Sequence, residues 1–190
     1  VIKPAHHAGG GIQAKGAATA QHHGMHFVDQ VGRVQQIGLA GARGGPAHIH
    51  RAHGARIAEF PMHERVFVAA REAGDWIVLG APNAMRGGSH LGSPGAADMI
   101  RRGLCDILAS DYFYPAMMGA MVRLLSDEVA PLHALWKLVS SNPAAAMSLT
   151  DRGRIAPGLR ADLVLIDWPE SAMPSPIRTW SAGRAGYSAL

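Results

Sequence analysis

A single cysteine, Cys105, stands among the 190 residues, so no internal disulfide forms and a multi-cysteine zinc site is excluded. Acidic residues are scarce at the start, since only Asp29 of the 14 precedes Glu59. Aromatic residues make up 6% of the chain, and the basic residues are scattered rather than gathered with them in a stripe. That pattern argues against nucleic acid as a partner, while a formal charge of +4 suits anionic substrates. No stretch reaches the roughly 18 uncharged apolar residues that a membrane span needs. No membrane partner is expected. The opening "VIKPAHHAGGG" also lacks the apolar core of a signal peptide, and with the lone thiol this leads us to expect a cytoplasmic chain.

What is present divides into unlike parts. Hydrophobic residues account for 48% of the chain, too many for a disordered protein, and the length suits one core with or without an appendage. Residues 1–53 read as an irregular His/Gly-rich segment without family resemblance, and seven of the 11 histidines lie in the first 50 positions. "QHHGMH" and "HIHRAH" could ligate metal, but histidine clusters in sequence of low periodicity more often bind it adventitiously.

From residue 54 the pattern becomes regular. "ARIAEF" reads as a short buried strand and "MHERVFVAAREAG" as a helix, with Val66, Ala69, Ala70 and Ala73 toward a core and Gly74 as its stop. "DWIVLGAP" is the next strand, "GAADMIRRG" a helix, "LCDILAS" a third strand and "PAMMGAMVRLL" a third helix. Strands alternating with helices over short connections imply parallel strands joined by right-handed crossovers. The fold class is α/β, open or barrel-like.

In such folds the chemistry sits where strands end and loops lead into helices. The first strand ends at Glu59, the second leads into "GAPNAMRGGSHLGSPG" and the third into "SDYFYP". We read the middle segment as a flexible loop with Asn83, Arg86, Gly87, Gly88, Ser89 and His90 disposed to hold an anion, the glycines letting backbone N–H groups approach it. The competing reading is a plain strand-to-helix connection in which Asn83 and Ser89 cap turns. Asp111 is open in the same way. It can bind a divalent metal, accept a proton from metal-bound water, or cap the helix beginning near Pro115. The other nitrogen and oxygen ligands downstream, Glu59, His63, His90 and His133, make no compact metal motif.

The segment "NPAAAMSLTDRGRIAPGLRADLVLID", residues 142–167, resembles the closing part of amidohydrolase-superfamily enzymes, where a helix leaves the barrel and the chain enters a small β-domain. Within that superfamily "GARIAEFP", "GAPNAMRGGSHLG" and "LCDILASDYFYP", in that order, are similar to the phosphonate-metabolism hydrolases that act as alpha-D-ribose 1-methylphosphonate 5-triphosphate diphosphatases. The resemblance covers residues 54–184 and corresponds to roughly the last half of a family member. It implies the C-terminal part of a (β/α)8 barrel over 54–150 and a few strands of a small β-domain over 151–190. It also implies a divalent metal, zinc or manganese, and a small phosphorylated sugar as substrate, cleaved to a monophosphate and pyrophosphate. Asp111 matches the superfamily's carboxylate at the end of the eighth barrel strand, a metal ligand and proton acceptor. His90 is expected to contact the metal or the leaving pyrophosphate, and Arg86 the phosphate oxygens.

The superfamily's early metal ligands lie upstream of the resemblance. Two alternatives to the diphosphatase therefore stand: a non-catalytic remnant or assembly fragment, and an amidohydrolase of other specificity. Unpaired barrel edges would favour a homo-oligomer.

Overall fold

The computed structural model describes residues 24–28, 34–38, 54–87, 94–170 and 172–189. Helices and strands alternate through the middle of the chain. Strands β1 (Gly24–Val28) and β2 (Val34–Gly38) come first, followed by β3 (Ile57–Glu59), helix α1 (Glu64–Glu72), β4 (Trp76–Gly80), α2 (Ala81–Arg86), α3 (Ala96–Arg101) and β5 (Ile107–Ala109). Three helices follow: α4 (Ala116–Ser126), α5 (Leu132–Lys137) and α6 (Ser141–Ala146). The chain closes with β6 (Leu163–Asp167), β7 (Ser175–Ser181) and β8 (Arg184–Ser188).

One sheet has the order β2-β1-β3-β4-β5, with β3, β4 and β5 parallel and β1 antiparallel to both β2 and β3. The other is the antiparallel sheet β6-β7-β8. The architecture is therefore mixed α/β. The apolar run "WIVL" of β4 is what a parallel strand covered on both faces requires. Ile77 and Leu79 join Ala58 and Leu108 in the main core beneath the helices, while Val78 lies with Ile57 and Ile107 in a second apolar cluster formed by the same strands. Alternation along each strand thus feeds two cores.

Helix α1 covers the main core with Val66, Phe67 and Ala70, and burying the Phe67 ring contributes about 1.5–3 kcal/mol. The expected face is shifted: Ala69 is exposed and Ala73 only half-buried, because the large Phe67 side chain rotates the helix toward itself. Gly74 ends the helix as expected. Its N–H donates to the Arg71 carbonyl, the Asp75 N–H donates to the Ala70 carbonyl, and φ at Gly74 is +72°.

Two further expectations change. Residues 81–86 are a short helix rather than a flexible loop, because Pro82 in the first turn has its φ preset and Gly87 ends the turn in the left-handed region at φ +78°. Two strands occur in the first 53 residues, where no periodicity suggested any; their pairing lies in the sheet and not in the local pattern. In "WPESAMPSPIRTW" the strand β7 begins at Ser175. Its Pro176 sits opposite Ile166 beside a register shift, where a missing N–H is tolerated.

Candidate functional site

The C-terminal ends of β3, β4 and β5 converge on one spot. Gly80 ends β4, and a Cβ built there would lie 3.3 Å from the Phe60 ring just beyond β3 and 3.6 Å from Asp111 Oδ2 beyond β5. A side chain at Gly80 would crowd the Phe60 ring and only touch the carboxylate, so the glycine lets Phe60 pack close beside Asp111. Asp111 is exposed and has φ 54°, a left-handed conformation that Asp adopts more readily than most residues. Among the described residues no hydrogen-bond donor engages its carboxylate.

Capping does not explain Asp111. The N-cap of α4 is Pro115 and carries no side-chain cap bond. Two turns fill the gap instead, with the Phe113 N–H donating to the Ser110 carbonyl and the Ala116 N–H to the Phe113 carbonyl. The acid is set at the rim by the path of the chain.

Arg86 lies at the same end of the sheet. As the last residue of α2 it donates from Nη1 to Tyr112 Oη at 2.8 Å and from Nη2 to Asn83 Oδ1 at 3.1 Å. The bond to Asn83 follows from their three-residue spacing on one helix face. The bond to Tyr112 ties α2 to the segment that carries Asp111. Asn83, Arg86, Gly87 and Asp111 are therefore gathered at one rim, whereas Gly88, Ser89 and His90 lie outside the described residues. Tyr112 and Gly80 were missing from the sequence reading. The signal for Tyr112 was its place directly after Asp111; Gly80 offered only its position at a strand end.

The other candidate ligands lie on neighbouring elements. His63 is exposed at the start of α1 and His133 is exposed on α5, while Glu59 closes β3. Among the described residues no three His, Cys, Asp or Glu side chains gather closely enough to hold a metal ion. Asp111 fits as one exposed carboxylate ligand, and those residues alone do not complete a shell.

The remaining polar features serve the scaffold. Asp106 accepts both Arg71 Nη2 contacts, at 2.8 and 2.9 Å, and the Ile77 N–H at 2.9 Å, next to the start of β5. Cys105 is buried, and burial pushes its thiol up to about 12, which rules it out as a nucleophile at neutral pH. Asp162 accepts from Arg160 Nε and from the Ala182 N–H, both at 2.8 Å, fixing the turn between β7 and β8 against the approach to β6. Those bonds, Arg160 foremost, hold its carboxyl below the usual range.

The profile of the amidohydrolase family matches residues 8–187, reaching back through most of the His/Gly-rich segment. The alpha-D-ribose 1-methylphosphonate 5-triphosphate diphosphatase of Escherichia coli (strain K12) is 42% identical over 138 residues, which cover 70% of this chain and 36% of that protein. The adenine deaminase of Methylobacterium sp. (strain 4-46) is 40% identical over 74 residues, 38% of this chain and 13% of that protein. The adenine deaminase of Gluconobacter oxydans (strain 621H) is 44% identical over 68 residues, 36% of this chain and 12% of that protein. The chain thus spans about a third of the length of the first relative and about an eighth of the other two. With the profile matching nearly the whole sequence and the helix-linked strands directing their ends to one carboxylate, the chain belongs to the amidohydrolase family.

Proposed function

We propose that the chain forms the phosphate-facing part of a metal-dependent hydrolase pocket at the mouth of a (β/α)8 barrel, and that its substrate is alpha-D-ribose 1-methylphosphonate 5-triphosphate. In the reaction a water oxygen bonds to phosphorus, the α–β phosphoanhydride linkage breaks, and the products are the 5-phosphate and pyrophosphate. The observation that carries the reading is the rim itself, where Arg86 is bonded to the residue next to Asp111. The 42% identity to the diphosphatase over most of the chain supports the substrate.

Each residue has a part in this reading. Asp111 takes the proton released as water attacks, its carboxylate being exposed and left unengaged by described donors. Arg86 pairs with phosphate oxygens through the fork geometry that guanidinium shares with phosphate. Gly80 adds no side chain beside the Asp111 carboxylate. A zinc or manganese ion held by Asp111 and His90, with further ligands beyond these, would lower the pKa of bound water from 15.7 to about 7.

The test is to supply the purified chain with zinc or manganese and the ribose triphosphate, then assay pyrophosphate. Release that disappears in Asp111→Asn supports the proposal. A folded, metal-loaded chain that releases none shows the chain to be non-catalytic alone, and rejects turnover by this chain. The adenine deaminase relatives favour a second reading, deamination of a nucleobase, but over little more than a third of the chain. Ammonia released from adenine, with no pyrophosphate from the triphosphate, would select it.

A further inference from the structure

We infer that Tyr112 is a positioning residue for anion recognition: its hydroxyl, together with the Asn83 side chain, holds the Arg86 guanidinium ready for a triphosphate. This rests on the proposed function and adds a part to the same site. Arg86 spends one Nη1 donor on Tyr112 and one Nη2 donor on Asn83. Both acceptors are neutral, and among the described residues no carboxylate pairs with this guanidinium. Arg71, Arg102, Arg123, Arg152 and Arg160 differ, each having an Asp or Glu partner.

That contrast has a chemical meaning. A guanidinium beside a carboxylate is already neutralised, whereas one held by a phenol and an amide keeps its whole charge and three of its five N–H donors for another molecule. Two bonds also fix the plane of the fork before the anion arrives, so less side-chain freedom is lost on binding. Tyr112 has little other work. Its residue is 72% exposed, too open for the ring to contribute much to a core. Its hydroxyl reaches across 26 positions of sequence to the end of α2, linking the segment of Asp111 to the helix that leaves β4 beside it.

The experiment is calorimetric titration of the full chain with inorganic triphosphate, which needs no turnover. Arg86→Ala should weaken binding about 10- to 100-fold, as expected for a charge-assisted contact, and Tyr112→Phe about 3- to 10-fold, because Asn83 still holds the guanidinium. In an Arg86→Ala background Tyr112→Phe should add nothing, because the hydroxyl acts through Arg86. A merely structural tyrosine would instead give independent, additive losses and a lower melting temperature. Arg184→Ala, which removes the same charge from β8, should leave binding unchanged.

The outcomes separate the inference from the reading beneath it. If Arg86→Ala weakens binding while Tyr112→Phe does not, or the two effects add, Tyr112 has no positioning role and the phosphate-facing site stands. If folded wild-type chain does not bind triphosphate, or Arg184→Ala weakens it as much as Arg86→Ala, the phosphate-facing site itself is wrong. Tyr112→Phe melting with the parent chain confirms that its effect is local.

Discussion

At Asp111 the backbone and the carboxylate make separate demands. The positive φ suits Asp and Asn, so Asp111→Asn keeps the turn and removes only the charge. It should leave the melting temperature within about 2 °C of the parent. Pyrophosphate release should fall about 10²- to 10⁴-fold, the usual contribution of a general base. Release retained at the parental rate would take the proton-acceptor role away from this residue. Asp111 was legible in sequence because an acid just past a buried apolar run lies at the functional edge of a parallel sheet. Tyr112 was not, since its partner depends on how the α2 and α4 connections fold back on each other. Cys105 presents a different case, since its burial, and nothing in the sequence around it, makes it inert. Its thiol is raised to about 12 from 9.0, burial being the main cause and neighbouring Asp106 adding to it. The unfolded thiol ionises first, so the stability it contributes is full below pH 9 and declines as pH rises from there toward 12. Iodoacetamide at pH 8.5 should label Cys105 only as fast as the chain opens; rapid stoichiometric labelling of the folded protein would contradict the burial.

Among the elements, α2 shows why glycine and proline counts mislead. Six residues are too few for a helix to hold by itself. Tertiary packing stabilises α2: Met85 lies so close to α4 that a Cβ on Gly119 would come within 2.5 Å of its sulfur. The loop reading considered only local freedom and missed this support. The same physics explains the glycine in "DRGRIAPG". At Gly153 φ is +90°, a Cβ would sit 2.5 Å from that of Ala144 on α6, and its carbonyl accepts from Ser140 Oγ at 2.9 Å. Gly153→Ala combines left-handed strain with overpacking and should cost about 2–4 kcal/mol in urea unfolding. A loss under 0.5 kcal/mol would mean that α6 and this turn move apart freely. In the small sheet, the depressed Asp162 carboxyl contributes stability above its ordinary pKa of 3.8, and that contribution is lost as pH falls through the lower folded value. Ala182, whose N–H it accepts, should therefore exchange its amide proton faster in Asp162→Asn at neutral pH, and in the parent only well below pH 4.

Across the whole molecule, the two ends of the parallel strands have different duties. Alternating apolar runs made β3, β4 and β5 readable, and with them the end at which Asn83, Arg86 and Asp111 gather. The opposite end was not readable, because nothing in "LCDILAS" says that Asp106 pairs with Arg71 35 positions away. There Asp106 joins three layers of contact: its carboxylate holds Arg71 of α1 and the Ile77 N–H of β4, and its carbonyl accepts from Asn142 Nδ2 of α6 at 2.8 Å. The Asp106 side chain is 16% exposed and that of Arg71 39%, so removing the acid leaves a half-buried guanidinium and an N–H without their partner. Asp106→Ala should therefore destabilise the chain by about 2–4 kcal/mol. Because the site lies at the far end of the strands, triphosphate affinity of the molecules that remain folded should not change. Arg86→Ala should do the reverse, weakening the anion while leaving urea unfolding within about 0.5 kcal/mol of the parent, as for an exposed side chain. Measuring both quantities on both variants tests the division directly. Affinity falling in Asp106→Ala, with the fraction folded accounted for, would mean that the two ends are coupled through the strands and that stability and recognition cannot be assigned to separate edges of the sheet.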